Sequence, residues 1–319
     1  MRDENIVEEK IIKVLKQNHL YDENNSPVFK INKEEEFFRT YKMNGSCKAK
    51  FPENITRDED GRIILDEIPL IVSNKKEGGR GLNKWAILNN GTKLLLKSSR
   101  FSSYSKGELA IMYFLKSLNM NTANYDIVRL DNREYLASIC FLRNGEKITN
   151  PFKEAPNIQE GYNLLKKDNI STQFLKTCFT DRIYGNIDRF PYNFGIISGG
   201  KLNGRDTQKR ICPLYDNFDE LSVFIREDIL SCFPGLDKEG ASCEEVINSL
   251  LGYEEIMHWA HGPLKSANLH ASVERLHEEK NIFMDSDLYD RMESFFKDSE
   301  KIINNELKNK GKKLRIRLV

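Results

Sequence analysis

The sequence changes character near residue 150, and this change constrains the fold more than any other feature. Before it, short apolar runs are separated by Asn-Gly and Asp-Asn turns, which is typical of antiparallel hairpins. After it, apolar residues recur at helical spacing over long segments. A strand-rich half followed by a helix-rich half predicts two lobes of different class and argues against an alternating βαβ sheet.

Two hairpins and one helix are predicted in the first half. The hairpin strands are expected over 85–88 with 94–97, and over 125–130 with 135–142. Between the hairpins, Ser105 is a predicted N-cap, and Glu108 three residues later completes a capping-box pattern. A small sheet with one helix follows from these elements.

The second half is predicted to be mostly helical. Helices are expected over 158–167, 171–185, 243–260, 268–279 and 286–308, and two short apolar pieces over 194–197 and 211–215. Residues 1–66, with an amphipathic helix over 5–17, are polar and irregular. We therefore predict an accessory region over 1–66, an N-lobe over 67–145 and a C-lobe over 146–319.

Composition excludes several classes of protein. The 319 residues carry 49 Lys and Arg against 48 Asp and Glu, so the net charge of +1 gives no global reason to expect nucleic acid or an anionic membrane. No apolar stretch is long enough to cross a bilayer, and no Sec-type signal peptide is visible. The six cysteines form no C-x-x-C pair, which indicates a reducing compartment. We expect a cytoplasmic protein, or one exported without a cleavable signal.

A glycine cluster and a lysine are the first candidates for phosphate binding. Gly78, Gly79 and Gly81 lie between two apolar runs, where backbone N–H groups can approach a phosphate; a plain surface turn is the alternative. Lys97 closes an apolar strand, and Glu108 on the next helix is a candidate partner. The alternatives are a lysine that extends to water and a glutamate that only caps its helix.

A loop in the second half predicts the chemistry more specifically. Asp188 and Asn193 are five positions apart, the spacing at which a kinase catalytic loop presents a carboxylate and then an amide oxygen. Asp216 follows the second short apolar piece, and the intervening turn should return it beside Asn193. Such oxygen ligands suit Mg²⁺. Turn chemistry at Asn193 and capping at Asp216 are the alternatives.

At these residues the sequence resembles the HipA-like serine/threonine kinases, and among them the compact CtkA-type proinflammatory bacterial kinases. The shared patterns are Gly185-Asn186-x-Asp188-Arg189-x-x-x-Asn193 and Pro213-Leu214-Tyr215-Asp216. Phe190 stands where the family has histidine. The larger N-terminal subdomain of HipA toxins is not evident in residues 1–66, so the resemblance does not imply pairing with a DNA-bound antitoxin.

The resemblance implies an α+β fold, bilobal and protein-kinase-like, with a small β-rich N-lobe containing one helix and a larger helical C-lobe. ATP would lie between the lobes with Mg²⁺. The resemblance implies that Asp188 orients and deprotonates the acceptor hydroxyl and that Asn193 and Asp216 bind the metal. Lys97, fixed by Glu108, would bind the phosphates, and the loop with Gly78, Gly79 and Gly81 would cover the triphosphate. The segment with Cys140 and Leu142 would contact the adenine.

The implied activity is phosphoryl transfer to serine or threonine of a protein, including autophosphorylation, by a bacterial effector or toxin. Three alternatives remain open. His258-x-x-His261, with His270 and His277 nearby, has metal-like spacing and would suit a zinc hydrolase. The other two are a pseudokinase that keeps only the fold, and a transferase that moves AMP or acts on a lipid. The basic tail from Lys308 keeps a phosphate-rich partner open as well.

Overall fold

The computed structural model describes the chain in segments, which are residues 51, 55–68, 70–72, 83–88, 91–98, 102–142, 146–150, 158–168, 170–186, 189, 193–199, 201–202, 205–206, 208–218, 243–261 and 268–317. The predicted helix over 5–17, the loop with Gly78, Gly79 and Gly81, and Asp188 lie outside these residues. Within the described part, no helix is both long enough and apolar enough to span a membrane.

One sheet of six strands forms the N-terminal half, in the spatial order β1-β5-β6-β4-β3-β2. Its strands are β1 (Ile63–Ile64), β2 (Leu70–Val72), β3 (Lys84–Leu88), β4 (Lys93–Lys97), β5 (Tyr125–Leu130) and β6 (Arg133–Ile139). Neighbouring strands are antiparallel except β1 and β5, which are parallel.

Both predicted hairpins are confirmed. The β3–β4 turn closes with hydrogen bonds from Leu88 N–H to Thr92 O (2.9 Å) and from Gly91 N–H to Leu88 O (2.8 Å). The β5–β6 turn consists of Asp131 and Asn132, both at positive φ (51° and 58°). Two consecutive residues at positive φ are typical of the tight hairpin turn whose twist matches that of the strands.

Residues at the end of the predicted accessory region belong to this sheet. β1 pairs with β5, and Arg57 just before it donates to both carboxylate oxygens of Asp126 at 3.0 and 2.8 Å. The predicted boundary after residue 66 falls inside a 3-10 turn, Leu65–Glu67. Residues 63–64 therefore form an edge of the N-terminal sheet.

Seven α-helices lie in the described residues. They are α1 (Ser102–Ser117), α2 (Ile158–Lys166), α3 (Ser171–Tyr184), α4 (Cys243–Leu250), α5 (Glu254–His261), α6 (Leu269–Lys280) and α7 (Ser286–Arg317). Each predicted helix in this part is present, but the helix predicted over 243–260 is two helices. The break contains Gly252, whose N–H bonds to Ser249 O at 3.0 Å, and glycine is a poor former of helix interiors.

The predicted N-cap at Ser105 is wrong. α1 begins three residues earlier, at Ser102, and Ser105 is a fully buried residue of its first turn. Glu108 consequently lies in the second turn, where it cannot complete a capping box. Its side chain has other partners, which are described below.

A second, small sheet sets the geometry of the C-terminal half. β7 (Lys147–Thr149), β8 (Ile196–Ser198) and β11 (Arg210–Ile211) are antiparallel in the order β11-β8-β7, and a ribbon of β9 (Lys201–Leu202) and β10 (Arg205–Asp206) connects β8 to β11. Because β8 and β11 are antiparallel, the residues before β8 and after β11 leave the sheet at the same end. Asn193 and Asp216 are in those two segments.

The larger of two hydrophobic clusters is shared by both halves. It contains buried side chains of α1, such as Leu109 and Phe114, together with Phe174 and Phe179 of α3. Across this contact the Tyr113 hydroxyl of α1 donates to Glu279 of α6 at 2.7 Å. α1 is thus fixed against the C-terminal helices as well as against the sheet.

Candidate active site

The segment that follows β11, residues 213–218, is joined to the N-terminal half by a short parallel ladder. Leu214 forms a parallel bridge with Thr122. Leu214 N–H donates to Asn121 O and Ala123 N–H donates to Leu214 O, both at 2.8 Å. This ladder brings Asp216, two residues further on, to the end of β4.

Lys97, at the end of β4, forms an ion pair with Asp216. The two side chains are 15% and 30% exposed, so the pair is partly buried but open to solvent on one side. A lysine and a carboxylate from different halves of the chain therefore meet in a partly buried position.

Glu108 holds the backbone of the 213–218 segment. The Glu108 carboxylate is fully buried, and it accepts from Asn217 N–H at 2.9 Å and from Phe218 N–H at 2.6 Å. Burial raises the pKa of Glu108, and the charge of Asp216 adds to this; the Asn217 hydrogen bond and the charge of Lys97 oppose it. The predicted pairing of Glu108 with Lys97 differs from this arrangement, because Lys97 pairs with Asp216 instead.

Phe218 packs directly on α1 at Gly107. A Cβ added to Gly107 would lie 2.5 Å from the Phe218 ring, closer than carbon atoms can approach. We expect Gly107→Ala to displace Phe218 and lower the free energy of unfolding by about 1–3 kcal/mol, which urea denaturation would measure. An alanine in a helix is ordinarily about 1 kcal/mol more stable than glycine, so a stabilised variant would contradict this packing.

The backbone of Asp216 is held in a strained conformation. Its φ is 49°, in the left-handed region that residues other than glycine seldom adopt. Two hydrogen bonds hold the backbone on either side of the Asp216 Cα. Asp216 N–H donates to the Tyr125 hydroxyl at 3.1 Å, and Asn186 Nδ2 donates to Asp216 O at 3.1 Å. Strain of this kind persists only where surrounding contacts impose it, and it is concentrated at functional sites.

Arg189 ties the predicted catalytic loop to the 213–218 segment. One of its nitrogens, Nη1, donates to Asn193 O at 3.1 Å and to Tyr215 O at 2.6 Å. The other terminal nitrogen, Nη2, donates to Asn217 Oδ1 at 2.8 Å. The structure thereby brings Asn193 and Asp216 into adjacent segments held by a single guanidinium.

The charge of Arg189 is balanced by Asp181 of α3. Their side chains are 1% and 0% exposed, and Arg189 Nε and Nη2 each lie 3.0 Å from an Asp181 oxygen. Burial would lower the pKa of Arg189, but the charge of Asp181, together with the charge of Tyr184 and hydrogen bonds to both side chains, raises it. A fully buried charge pair is tolerated only with complete hydrogen bonding, which this arrangement supplies.

Several of these residues were given no role by the sequence. Tyr125, Arg189 and Asn217 act through contacts between segments far apart in the chain. Asp181 pairs with Arg189, eight residues later. One signal was present: Asp181 lies in a helix whose other buried residues are largely apolar, and a buried carboxylate requires a partner.

The predicted adenine-binding segment lies at the end of β6. Cys140 and Leu142 are half-buried, and Cys140 N–H donates to Lys93 O at 2.9 Å, so this donor is used within the sheet. Between them, the Phe141 ring stacks on Tyr215, with ring centroids 6.1 Å apart. The predicted adenine-binding segment is thus in contact with the 213–218 segment, which carries Asp216.

The histidines do not gather into a metal site in the described part of the chain, where no group of three or more His, Cys, Asp or Glu side chains is placed to hold a metal ion. His258 lies 3.6 Å from Glu254, His270 lies 3.1 Å from Glu274, and His277 packs on the Phe283 ring. These are surface helix contacts and give the zinc hydrolase alternative no support.

Comparison with solved structures defines the fold. The chain is similar to the Helicobacter pylori proinflammatory kinase CtkA, with a TM-score of 0.57 and 14% sequence identity, over 77% of this chain and 98% of that chain. A HipA chain, from the Shewanella oneidensis MR-1 toxin–antitoxin complex of HipA, HipB and operator DNA, matches with a TM-score of 0.48 and 14% identity. That match covers 80% of this chain and 67% of the HipA chain.

No protein-family model matches the sequence, and no curated protein matches it. The structural similarity nevertheless confirms the predicted fold class. The chain has an α+β, bilobal, kinase-like fold, with the β-rich lobe first and the helical lobe second.

Proposed function

We propose that this chain is an ATP- and Mg²⁺-dependent protein kinase that transfers the γ-phosphoryl group to a serine or threonine hydroxyl. The observation that carries the proposal is the meeting of Lys97 and Asp216 across the two halves, with Asp216 held at positive φ. In phosphoryl transfer the protein contributes mainly positioning and charge neutralisation, and a lysine with a metal-binding aspartate supplies both.

The ion pair itself suits a site for a charged ligand. Lys97 and Asp216 neutralise each other in a partly buried position. A metal-bound triphosphate offers each of them a replacement of opposite charge, since phosphate oxygens can take the lysine and the cation can take the carboxylate. Binding would therefore open the pair without leaving a charge unbalanced.

The available donors fit Mg²⁺. The Asp216 side chain is 30% exposed. The carbonyl of the half-buried Asn193 accepts from Arg189, which also donates to Tyr215 O, next to Asp216. Mg²⁺ binds oxygen ligands, and one or two protein side chains with water and phosphate commonly suffice. Once bound, the ion would neutralise charge on the transferred phosphoryl group.

The remaining roles follow the family resemblance. Asp188 would orient the acceptor hydroxyl and take its proton, and the Gly78, Gly79 and Gly81 loop would cover the triphosphate. The adenine edge would meet the segment with Cys140 and Leu142. Glu108 would act by holding the 213–218 segment, which agrees with its hydrogen bonds to Asn217 and Phe218.

The proposal extends to the partner and location in outline. The acceptor is a protein hydroxyl, in this chain itself or in another protein, and the net charge of +1 gives no reason to add nucleic acid. We further propose a cytoplasmic site of action, or delivery as a bacterial effector without a cleavable signal.

Labelled ATP tests the proposal. With γ-labelled ATP and Mg²⁺ we expect label on the chain itself or on an added protein acceptor, at phosphoserine or phosphothreonine. Asp188→Asn should abolish this label. The matched control is Asp168→Asn, because Asp168 pairs with the exposed Lys209 at 3.0 Å and lies outside the site.

Three outcomes would contradict the proposal. Label from α-labelled ATP would indicate transfer of AMP, and label on lipid alone would indicate a lipid acceptor. ATP binding without any transfer would indicate a pseudokinase.

A further inference from the structure

The backbone N–H of Asp216 is satisfied by a side chain from the other half of the chain. The parallel ladder between residues 121–123 and Leu214 supplies backbone partners up to that point. Beyond it, Tyr125 turns into β5, where it pairs with Ser138 of β6. Its own N–H donates to the Met112 sulfur at 3.4 Å, so this N–H does not continue the ladder to Asp216.

The Tyr125 hydroxyl supplies the hydrogen-bond acceptor for Asp216 N–H in place of a backbone carbonyl. It accepts from Asp216 N–H at 3.1 Å, and the tyrosine is only 2% exposed. Burial raises the pKa of Tyr125 well above its ordinary value, and the carboxylates of Glu108 and Asp216 raise it further. The buried hydroxyl therefore acts as a fixed hydrogen-bond acceptor for the Asp216 N–H.

The position of Asp216 depends on contacts from both halves. Asn186 holds its carbonyl from the C-terminal half, while Tyr125 holds its N–H from the N-terminal half. An aspartate prefers negative φ, so without one of these contacts the peptide gains access to conformations in which the carboxylate points elsewhere. The Tyr125 ring belongs to the larger hydrophobic cluster, and its hydroxyl contacts the Asp216 N–H.

We infer that Tyr125 is a positioning residue, whose hydroxyl holds the Asp216 peptide and so directs the Asp216 carboxylate toward the divalent cation. This inference rests on the proposed function. It assigns to the first residue of β5 a role in metal binding that the sequence motifs do not contain. The cation, and not the nucleotide, is the ligand whose affinity should depend on the hydroxyl.

The test measures the binding of Mn²⁺, which is used in place of Mg²⁺ because electron paramagnetic resonance reports the concentration of free Mn²⁺ directly. The protein is saturated with a non-hydrolysable ATP analogue, and Tyr125→Phe is compared with the unsubstituted chain. Loss of one hydrogen bond that orients a ligand should weaken Mn²⁺ binding by about five- to tenfold. Binding of the analogue without metal should change less than about twofold.

Tyr135→Phe is the matched control. Tyr135 is 3% exposed on β6 of the same sheet, it packs in the smaller hydrophobic cluster, and it does not touch Asp216. The control should bind Mn²⁺ as the unsubstituted chain does. In phosphoryl transfer, Tyr125→Phe should raise the half-saturating Mg²⁺ concentration by the same five- to tenfold, while kcat at saturating Mg²⁺ recovers to within about twofold.

The other possible results would contradict the positioning role of Tyr125, the proposed kinase function, or both. Equal Mn²⁺ affinity in Tyr125→Phe and the unsubstituted chain, or equal weakening in Tyr135→Phe, overturns the positioning role but leaves the proposed kinase. Failure of the unsubstituted chain to bind Mn²⁺ with the analogue overturns both. Affinities are expressed per folded molecule, from the stoichiometry of analogue binding, so a partly unfolded variant still gives a result.

Discussion

Asp216→Asn is expected to reduce phosphoryl transfer by about 10²–10³-fold, equivalent to about 3–4 kcal/mol of transition-state stabilisation. Asparagine has the same shape and tolerates the positive φ of 49°, so it can keep the backbone contacts with Tyr125 and Asn186. It removes the charge that faces Lys97 and the cation. The loss should therefore fall on turnover and on metal affinity, not on folding.

Steady-state phosphorylation at several Mg²⁺ concentrations, with thermal unfolding of the same samples, checks this expectation. Because the Lys97–Asp216 pair is partly exposed, its loss should change the free energy of unfolding by less than about 1 kcal/mol. Asp168→Asn again serves as the control, since it removes a carboxylate from a surface ion pair. Undiminished turnover in Asp216→Asn would exclude Asp216 as a metal ligand.

Arg189→Met is expected to lower the free energy of unfolding by about 3–5 kcal/mol, the largest effect on stability that the site predicts. The substitution leaves Asp181 charged, fully buried and without its main partner. It also frees the carbonyls of Asn193 and Tyr215 from the same nitrogen. A loss of this size is a large fraction of the stability of an ordinary domain.

Urea unfolding of two further variants tests whether the buried Arg189–Asp181 pair accounts for this loss of stability. Arg275→Met removes an arginine from an exposed pair with Glu279 and should cost less than about 1 kcal/mol. The double variant Arg189→Met with Asp181→Asn should be more stable than Arg189→Met alone, because no isolated carboxylate remains buried. If Arg189→Met were as mild as Arg275→Met, the buried pair would not hold the two segments together.

Elements with a local signal were predicted well. Both hairpins carry their turn residues in the sequence, and each described helix shows its apolar period over several turns. The errors lie where the decisive contact is distant. Ser105 was placed at the start of a helix because the capping pattern is local, but α1 begins at Ser102.

In the candidate site too, residues with a local sequence signal were selected, while contacts between distant residues were missed. Lys97, Asn193 and Asp216 were selected from their positions at strand ends and from motif spacing. The partner of Glu108 was predicted wrongly, since the sequence does not show that residues 217 and 218 lie beside the second turn of α1. Tyr125 was not selected at all, because a tyrosine that begins a buried strand looks like any other core residue.

The sequence by itself determined the order of a strand-rich and a helix-rich half, the local elements within each, and the residue types able to bind phosphate and metal. These follow from turn chemistry and hydrophobic periodicity, which act over a few residues. Only the tertiary structure decided that Lys97 faces Asp216, that Arg189 is neutralised by Asp181, and that Tyr125 holds the Asp216 peptide. The first and third contacts join residues distant in the chain, and the second joins residues eight apart across the end of α3. Burial selects among such contacts because every buried charge and N–H group needs a partner.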